Sequence, residues 1–146
     1  MTAINELRKE DIDQLDNRIY HNGSDMDIYQ SVASGSAIYP GAGTPLGLWY
    51  CITKLNGEAG EAAEHIGKAF RDDELMFKTG SGLFGCDELT PERRELLLKE
   101  AGDCLWYLSA ICRELGTTLS AVALMNLRKL YDRQQRNKLS GSGDNR

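Results

Sequence analysis

The sequence contains no apolar run close to the roughly 20 residues that a membrane-spanning helix needs. Its first residues also lack the apolar core of a signal peptide, so we expect a cytoplasmic protein with no membrane partner. Basic residues are not in excess, because 17 Lys and Arg stand against 22 Asp and Glu, which gives a net charge of −5. General nucleic-acid binders are usually basic, so we expect no nucleic-acid partner.

Cysteine and histidine are scarce. The sequence has no CxxC pair, which argues against a zinc site, and we expect free thiols at the cysteines: Cys51, Cys86, Cys104 and Cys112. Neither His21 nor His65 follows a glutamate by three residues. A di-iron carboxylate bundle needs such a pair on each of two helices, so the sequence argues against that class of metalloprotein.

No segment alternates apolar and polar side chains with a period of two, so no strand is predicted. Apolar residues recur at helical spacing instead, and they predict helices at about 4–20, 26–37, 46–71, 91–115 and 121–137. Pro45 and Pro91 each follow a threonine, which is typical of a capped helix start. We therefore expect one all-α domain, a bundle of four or five helices, with a loop at 72–89.

Two pairs of acidic residues lie on the two longest predicted helices. Glu58 and Glu61 are three residues apart, as are Glu100 and Asp103, so each pair shares one helical face. Glycine and alanine flank both pairs, which brings the acids near the apolar seam between the helices. Carboxylates gathered there repel one another unless a cation binds, and oxygen ligands suit Mg²⁺ or Mn²⁺. The residues leave open the alternative of solvated surface acids.

The segments LNGEAGEAAE at 55–64 and KEAGDCLWYL at 99–108 resemble the MazG family of nucleoside triphosphate pyrophosphohydrolases, whose signature is ExxE, a spacer and ExxD. The resemblance runs from about residue 27 to the end and includes the basic C-terminal tail. We therefore divide the chain into an N-terminal extension at 1–24 and a MazG-like domain at 25–146.

The resemblance implies an all-α enzyme that assembles as a homodimer or homotetramer. It implies cleavage of an NTP or dNTP to the monophosphate and pyrophosphate, with Mg²⁺ or Mn²⁺, in nucleotide-pool control or housecleaning. The implied metal ligands are Glu58, Glu61, Glu100 and Asp103, and we take Glu61 as the catalytic residue. The alternative function is a nucleotide-binding or oligomerisation module on the same fold, without turnover.

Other side chains extend this interpretation. Asn126, Lys129 and Arg133 share one face of the last predicted helix and match the family, which implies contacts with the substrate phosphates. Tyr39, beside a Pro-Gly loop, is a candidate contact for the base. His65 either contacts metal or substrate or packs in the core. The aromatic residues at helical spacing are expected in the core: Trp49, Trp106 and Tyr107.

Overall fold

A computed structural model describes residues 8–22, 24–73, 75 and 89–138 of the chain. Within these ranges it contains five α-helices and no strand, which confirms the all-α prediction. The helices are α1 (Lys9–Asn22), α2 (Asp25–Ser34), α3 (Pro45–Asp72), α4 (Pro91–Glu114) and α5 (Leu119–Gln135). The predicted helical residues 4–7, most of the predicted loop at 72–89 and the end of the tail lie outside the described residues.

Side-chain caps begin the last four helices, and two of these caps are the threonines that the sequence indicates before Pro45 and Pro91. A hydroxyl at each cap accepts a hydrogen bond from a backbone N–H of the first turn, at Ser24, Thr44, Thr90 and Thr118. Those N–H groups have no partner inside the helix, so the cap stabilises the helix start by about 1 kcal/mol. Pro45 and Pro91 occupy the first helical position, where a missing N–H costs nothing.

Two helix ends show where local chemistry stops the helical pattern. α2 ends at Ser34 rather than at the predicted residue 37, because Gly35 and Ser36 form a turn and the Ser36 hydroxyl donates to the Ala33 carbonyl at 2.8 Å. α4 ends at Glu114, close to the predicted end at 115, and Gly116 follows with a φ of +66°, which glycine adopts without strain.

The helices belong to two compact units. One unit joins the chain up to Ser36 with the chain from Gly116 onward, and in it α5 contacts α1 and α2. The other unit, Ala37–Leu115, contains α3 and α4, which contact each other along their length. The predicted boundary between residues 24 and 25 remains a prediction.

Within the first unit, polar side chains of α2 hold the start of α5. The Gln30 amide donates to the Thr117 carbonyl at 3.0 Å and accepts from the Leu119 backbone N–H at 2.7 Å. Asp27 accepts from both the backbone N–H and the hydroxyl of Ser120, at 3.2 and 2.6 Å. These bonds satisfy backbone groups that the first turn of α5 leaves without helical partners.

In the second unit α3 and α4 run antiparallel. Cys51 near the start of α3 packs with Ala110 near the end of α4. At the opposite end, the Arg93 guanidinium donates to both oxygens of Asp73, at 2.8 and 3.2 Å. This two-point ion pair ties the end of α3 to the start of α4.

No helix in the described part of the chain is by itself long and apolar enough to cross a membrane, and only α4 and α5 taken as a bent pair reach the required length and hydropathy. The thiols of Cys51, Cys104 and Cys112 are free. Cys86 lies outside the described residues.

Candidate metal centre

The seam between α3 and α4 begins at an aromatic end, made of Tyr39, Tyr50, Cys51, Trp106 and Ala110. Tyr50 stacks on the Tyr39 ring with centroids 5.9 Å apart, and Trp106 meets the same ring edge-on at 6.1 Å. Such ring pairs add to the free energy of burial. Tyr107 packs here as well, so the core positions predicted for Trp106 and Tyr107 are confirmed, although both are only half-buried.

Hydrogen bonds hold the Tyr39 ring in this end of the seam. Its hydroxyl donates to Glu114 Oε1 at 2.6 Å and accepts from Arg113 Nη2 at 2.7 Å. The Gly43 backbone N–H donates to the other Glu114 oxygen at 2.8 Å, and the Glu114 side chain is only 2% exposed. Burial, followed by the bond to Glu114, raises the pKa of Tyr39 above its ordinary value, so the hydroxyl stays a neutral donor.

Two aromatic predictions change in the light of this packing. Tyr39 is buried at 9% exposure between other side chains, which argues against its predicted contact with a base. Trp49 was expected in the core but is 63% exposed, because α3 turns the opposite face toward α4. Glu114 was not singled out, although it lies on the α4 face that carries Glu100, two heptads further along.

Further along the seam, three carboxylates from two helices form an acidic centre: Glu58, Glu100 and Asp103. One oxygen from each lies within 4.8 Å of the others. Glu100 is buried, Glu58 is half-buried and Asp103 is exposed, so the set runs from the seam to the surface. The expected meeting of the two acidic pairs at the seam is therefore observed for three of the four acids.

Electrostatics in the acidic centre disfavour negative charge. Burial raises the pKa of Glu58 above its ordinary value, and the carboxylates of Glu61, Asp103 and Glu100 raise it further, against a smaller lowering by Lys54. The pKa of the Cys104 thiol is also raised, first by burial and then by the charges of Glu58, Glu100 and Asp103. A bound cation would offset the repulsion among these carboxylates.

Glu61, the fourth predicted ligand, lies one turn beyond Glu58 on α3. Its side chain is exposed and its oxygens are not in the set within 4.8 Å. It is still close enough for its charge to raise the pKa of Glu58. Glu61 therefore borders the acidic centre on the solvent side.

The predicted phosphate contacts lie on α5, in the first unit. Asn126 and Lys129 are exposed, whereas Arg133 is buried with 6% exposure. Arg128, on a neighbouring face of α5, forms an ion pair with Asp16 of α1. The spacing predicts a common face for the three residues, but their side chains differ in exposure.

The donor set of the acidic centre fits a hard divalent cation. All three donors are carboxylate oxygens, which Mg²⁺ and Mn²⁺ prefer, and no thiol or imidazole belongs to the set. Asp103 is exposed, so the centre reaches the protein surface. The three carboxylates come from two helices and repel one another. Such an arrangement is suited to binding a cation.

The fold and the acidic centre define an all-α protein with a candidate site for a divalent cation. Residues 50–137 match the family model described as the MazG nucleotide pyrophosphohydrolase domain. The chain is also 41% identical over 124 residues to the "Gene 37 protein" of Mycobacterium phage L5, which covers 83% of this chain and 98% of that protein. The chain therefore belongs to the MazG nucleotide pyrophosphohydrolase family, as its resemblance implied. No solved structure matches it significantly.

Proposed function

We propose that this chain is a metal-dependent pyrophosphohydrolase that cleaves an NTP or dNTP to the monophosphate and pyrophosphate. The observation that carries the proposal is the acidic centre, where Glu58, Glu100 and Asp103 meet within 4.8 Å in a chain of the MazG family. These three side chains, together with Glu61 as the fourth ligand that the resemblance implies, hold Mg²⁺ or Mn²⁺. A pyrophosphohydrolase of this kind serves nucleotide-pool control or housecleaning, and its place is the cytoplasm.

The reaction breaks the oxygen bridge between the α- and β-phosphates and adds one water across it. Such hydrolysis depends on neutralising phosphate charge and aligning the water, more than on covalent chemistry. A bound divalent cation supplies that neutralisation. The protein supplies three fixed carboxylates on two helices, which orient the cation-binding oxygens before substrate arrives.

Glu61 orients or deprotonates the attacking water. Its carboxylate is exposed to solvent one turn beyond Glu58, and a carboxylate in that place is available to orient a water or to accept its proton. Glu61→Gln keeps the size of the side chain and removes this base. We expect it to abolish turnover while the helical circular-dichroism signal is unchanged.

Glu64→Gln is the matched control for Glu61→Gln, because Glu64 lies on the same helix and pairs with Lys68 away from the acidic centre. We expect this control to keep the activity of the wild-type protein. Retention of more than about half of the wild-type rate by Glu61→Gln at saturating Mg²⁺ would contradict the catalytic assignment.

The products test the reaction class directly. Separation of the products after incubation with a panel of canonical and modified NTPs and dNTPs should give monophosphate and pyrophosphate in equal amounts. The preferred base and sugar appear as the fastest members of the panel. Accumulation of the diphosphate with free orthophosphate would instead indicate a phosphatase and contradict the proposal.

The phosphate contacts on α5 are part of the proposal and rest on the resemblance. Lys129→Ala and Arg133→Ala should each cost about 1.5–3 kcal/mol in kcat/KM, the range for hydrogen bonds to charged groups. Arg128→Ala should cost little. Because Arg133 is buried, its substitution also removes packing, and Lys129→Ala is the cleaner test. Equal small losses in all three variants would contradict the assignment.

A second copy of the chain covers part of the α3–α4 pair, since the family resemblance implies a homo-oligomer. Both helices carry apolar side chains with large exposed fractions: Trp49 63%, Ile52 51%, Leu105 39% and Leu108 44%. Exposed apolar surface is typical of interaction sites. These side chains support a homodimer or homotetramer.

Ile52→Glu should dissociate the oligomer, because a charge at the centre of an apolar interface is costly to bury. Light scattering then gives the mass of one chain, 16.2 kDa. Ile38→Glu is the control, since Ile38 is 95% exposed and precedes α3. A wild-type protein that is monomeric at micromolar concentration and fully active would contradict this part of the proposal.

A further inference from the structure

His65 lies against the acidic centre but contributes no atom to the three-carboxylate set. It extends from α3 across the seam to Glu100 on α4, and its Nε2 is 3.5 Å from Glu100 Oε1. Both side chains are largely buried, with exposed fractions of 16% and 12%. The imidazole therefore contacts the most buried carboxylate of the acidic centre.

We propose that His65 is a positioning residue whose Nε2–H holds the Glu100 carboxylate in the orientation that a divalent cation requires. The inference rests on the proposed function, in which Glu100 is a metal ligand. Carboxylates that bind metals are commonly held by a hydrogen bond from a neighbouring group, which restricts their rotation.

Glu100 is the ligand that most needs such a partner. It is the most buried of the three acids, and the other two carboxylates present like charge to it. A buried carboxylate without a hydrogen-bond donor is costly. His65 on α3 places a ring nitrogen 3.5 Å from Glu100 Oε1, where it can act as that donor.

The second ring nitrogen indicates which tautomer faces Glu100. Within the described residues, His65 Nδ1 is buried and has no hydrogen-bond partner. With the hydrogen on Nδ1, the lone pair of Nε2 would face the Glu100 carboxylate 3.5 Å away, and the Nδ1–H would be a buried donor without an acceptor. The hydrogen therefore belongs on Nε2, where it points to the Glu100 carboxylate.

The length of the His65–Glu100 contact indicates whether it affects the stability of the fold or the affinity for a metal ion. A separation of 3.5 Å is at the outer limit of a hydrogen bond, so the contact contributes little to the folded state by itself. Contacts that serve a ligand often shorten only when the ligand is bound. We therefore expect His65 to affect metal affinity more than stability.

Two amide substitutions separate positioning from packing. In His65→Gln the amide nitrogen reaches about the position of Nε2, whereas in His65→Asn it reaches only about that of Nδ1. Isothermal titration with Mn²⁺ alone measures the affinity, and thermal unfolding without metal measures the fold. We expect His65→Asn to bind Mn²⁺ about 10–100-fold more weakly and His65→Gln to stay within about threefold of the wild-type protein.

Two results would overturn the inference: Mn²⁺ affinity in His65→Asn equal to that of the wild-type protein, or equal losses of affinity in both variants together with lower melting temperatures. Glu100→Gln distinguishes this failure from a failure of the proposed function. If Glu100→Gln loses Mn²⁺ binding while His65→Asn keeps it, only the role of His65 is wrong. If Glu100→Gln binds Mn²⁺ normally, the metal assignment is wrong and the inference falls with it.

Discussion

The aromatic end and the acidic centre lie on the same helix pair but differ in what their polar groups meet, which is hydrogen-bond partners in one and like charges in the other. In the aromatic end, the Tyr39 hydroxyl and the buried Glu114 carboxylate have hydrogen-bond partners at 2.6–2.8 Å. In the acidic centre, carboxylates of like charge face one another within 4.8 Å. The first arrangement stabilises the folded chain, whereas the second opposes folding through like-charge repulsion, which a bound cation would offset.

This difference shows which part of the seam is the scaffold and which part is the site. Rings and paired polar groups fix the start of α3 against the end of α4. That contact fixes the register of the two helices and so brings Glu58 opposite Glu100 and Asp103. Stability and function are therefore separable by substitution, and each half of the comparison can be tested alone.

The largest effect is expected in the acidic centre. Glu58→Gln removes one charge from the ligand set, and kcat/KM should fall at least about 100-fold, equivalent to about 2.7 kcal/mol. Because the substitution also relieves repulsion, the metal-free variant should melt no lower than the wild-type protein. If the loss of activity in Glu58→Gln merely matched a loss of folded protein, Glu58 would belong to the scaffold and not to the site.

A nearly equal effect is expected from the cation itself. A ligand that binds only the folded state stabilises it by about 2.7 kcal/mol at 100 times its dissociation constant. Mn²⁺ at that concentration should raise the free energy of unfolding of the wild-type protein accordingly, and EDTA should reverse the change. Urea unfolding of Glu58→Gln in parallel should show no such gain. A gain of the same size in that variant would locate the cation elsewhere.

A smaller effect is expected in the aromatic end. Tyr39→Phe leaves Glu114 and Arg113 without the hydroxyl that joins them, and this should cost about 1–3 kcal/mol of stability. Tyr50→Phe is the control, because it keeps the stacked ring and should cost under about 0.5 kcal/mol in urea unfolding. Mn²⁺ affinity should stay unchanged in both variants. Weaker Mn²⁺ binding in Tyr39→Phe would show that the two parts of the seam are coupled.

The smallest effect is a pH dependence in the acidic range, to which the acidic centre contributes through Glu58. The pKa of Glu58 is raised in the folded protein, first by burial, so the folded state holds that proton more tightly than the unfolded chain. Stability of the metal-free protein should therefore fall as the pH rises from the ordinary glutamate value, 4.5, through the raised pKa. Urea unfolding at a series of pH values should show a weaker dependence in Glu58→Gln, and parallel profiles would exclude Glu58 as the source.

The sequence by itself determines the features that depend on short distances along the chain. Threonine-proline pairs begin α3 and α4, glycine follows α4, and the ExxE and ExxD spacings set which acids share a face. Each is decided within a few residues, because caps and helical periodicity are local properties. The family signature lies in these same segments.

The tertiary structure decides which helix face is buried and what each side chain meets there. The spacing alone did not indicate that Trp49 is exposed and Tyr39 buried, that Glu61 borders the acidic centre, or that His65 contacts Glu100. Helical periodicity assigns residues to faces, but the partner helix selects the face that is covered. That selection depends on contacts between residues far apart in the chain, and it separates the scaffold from the site.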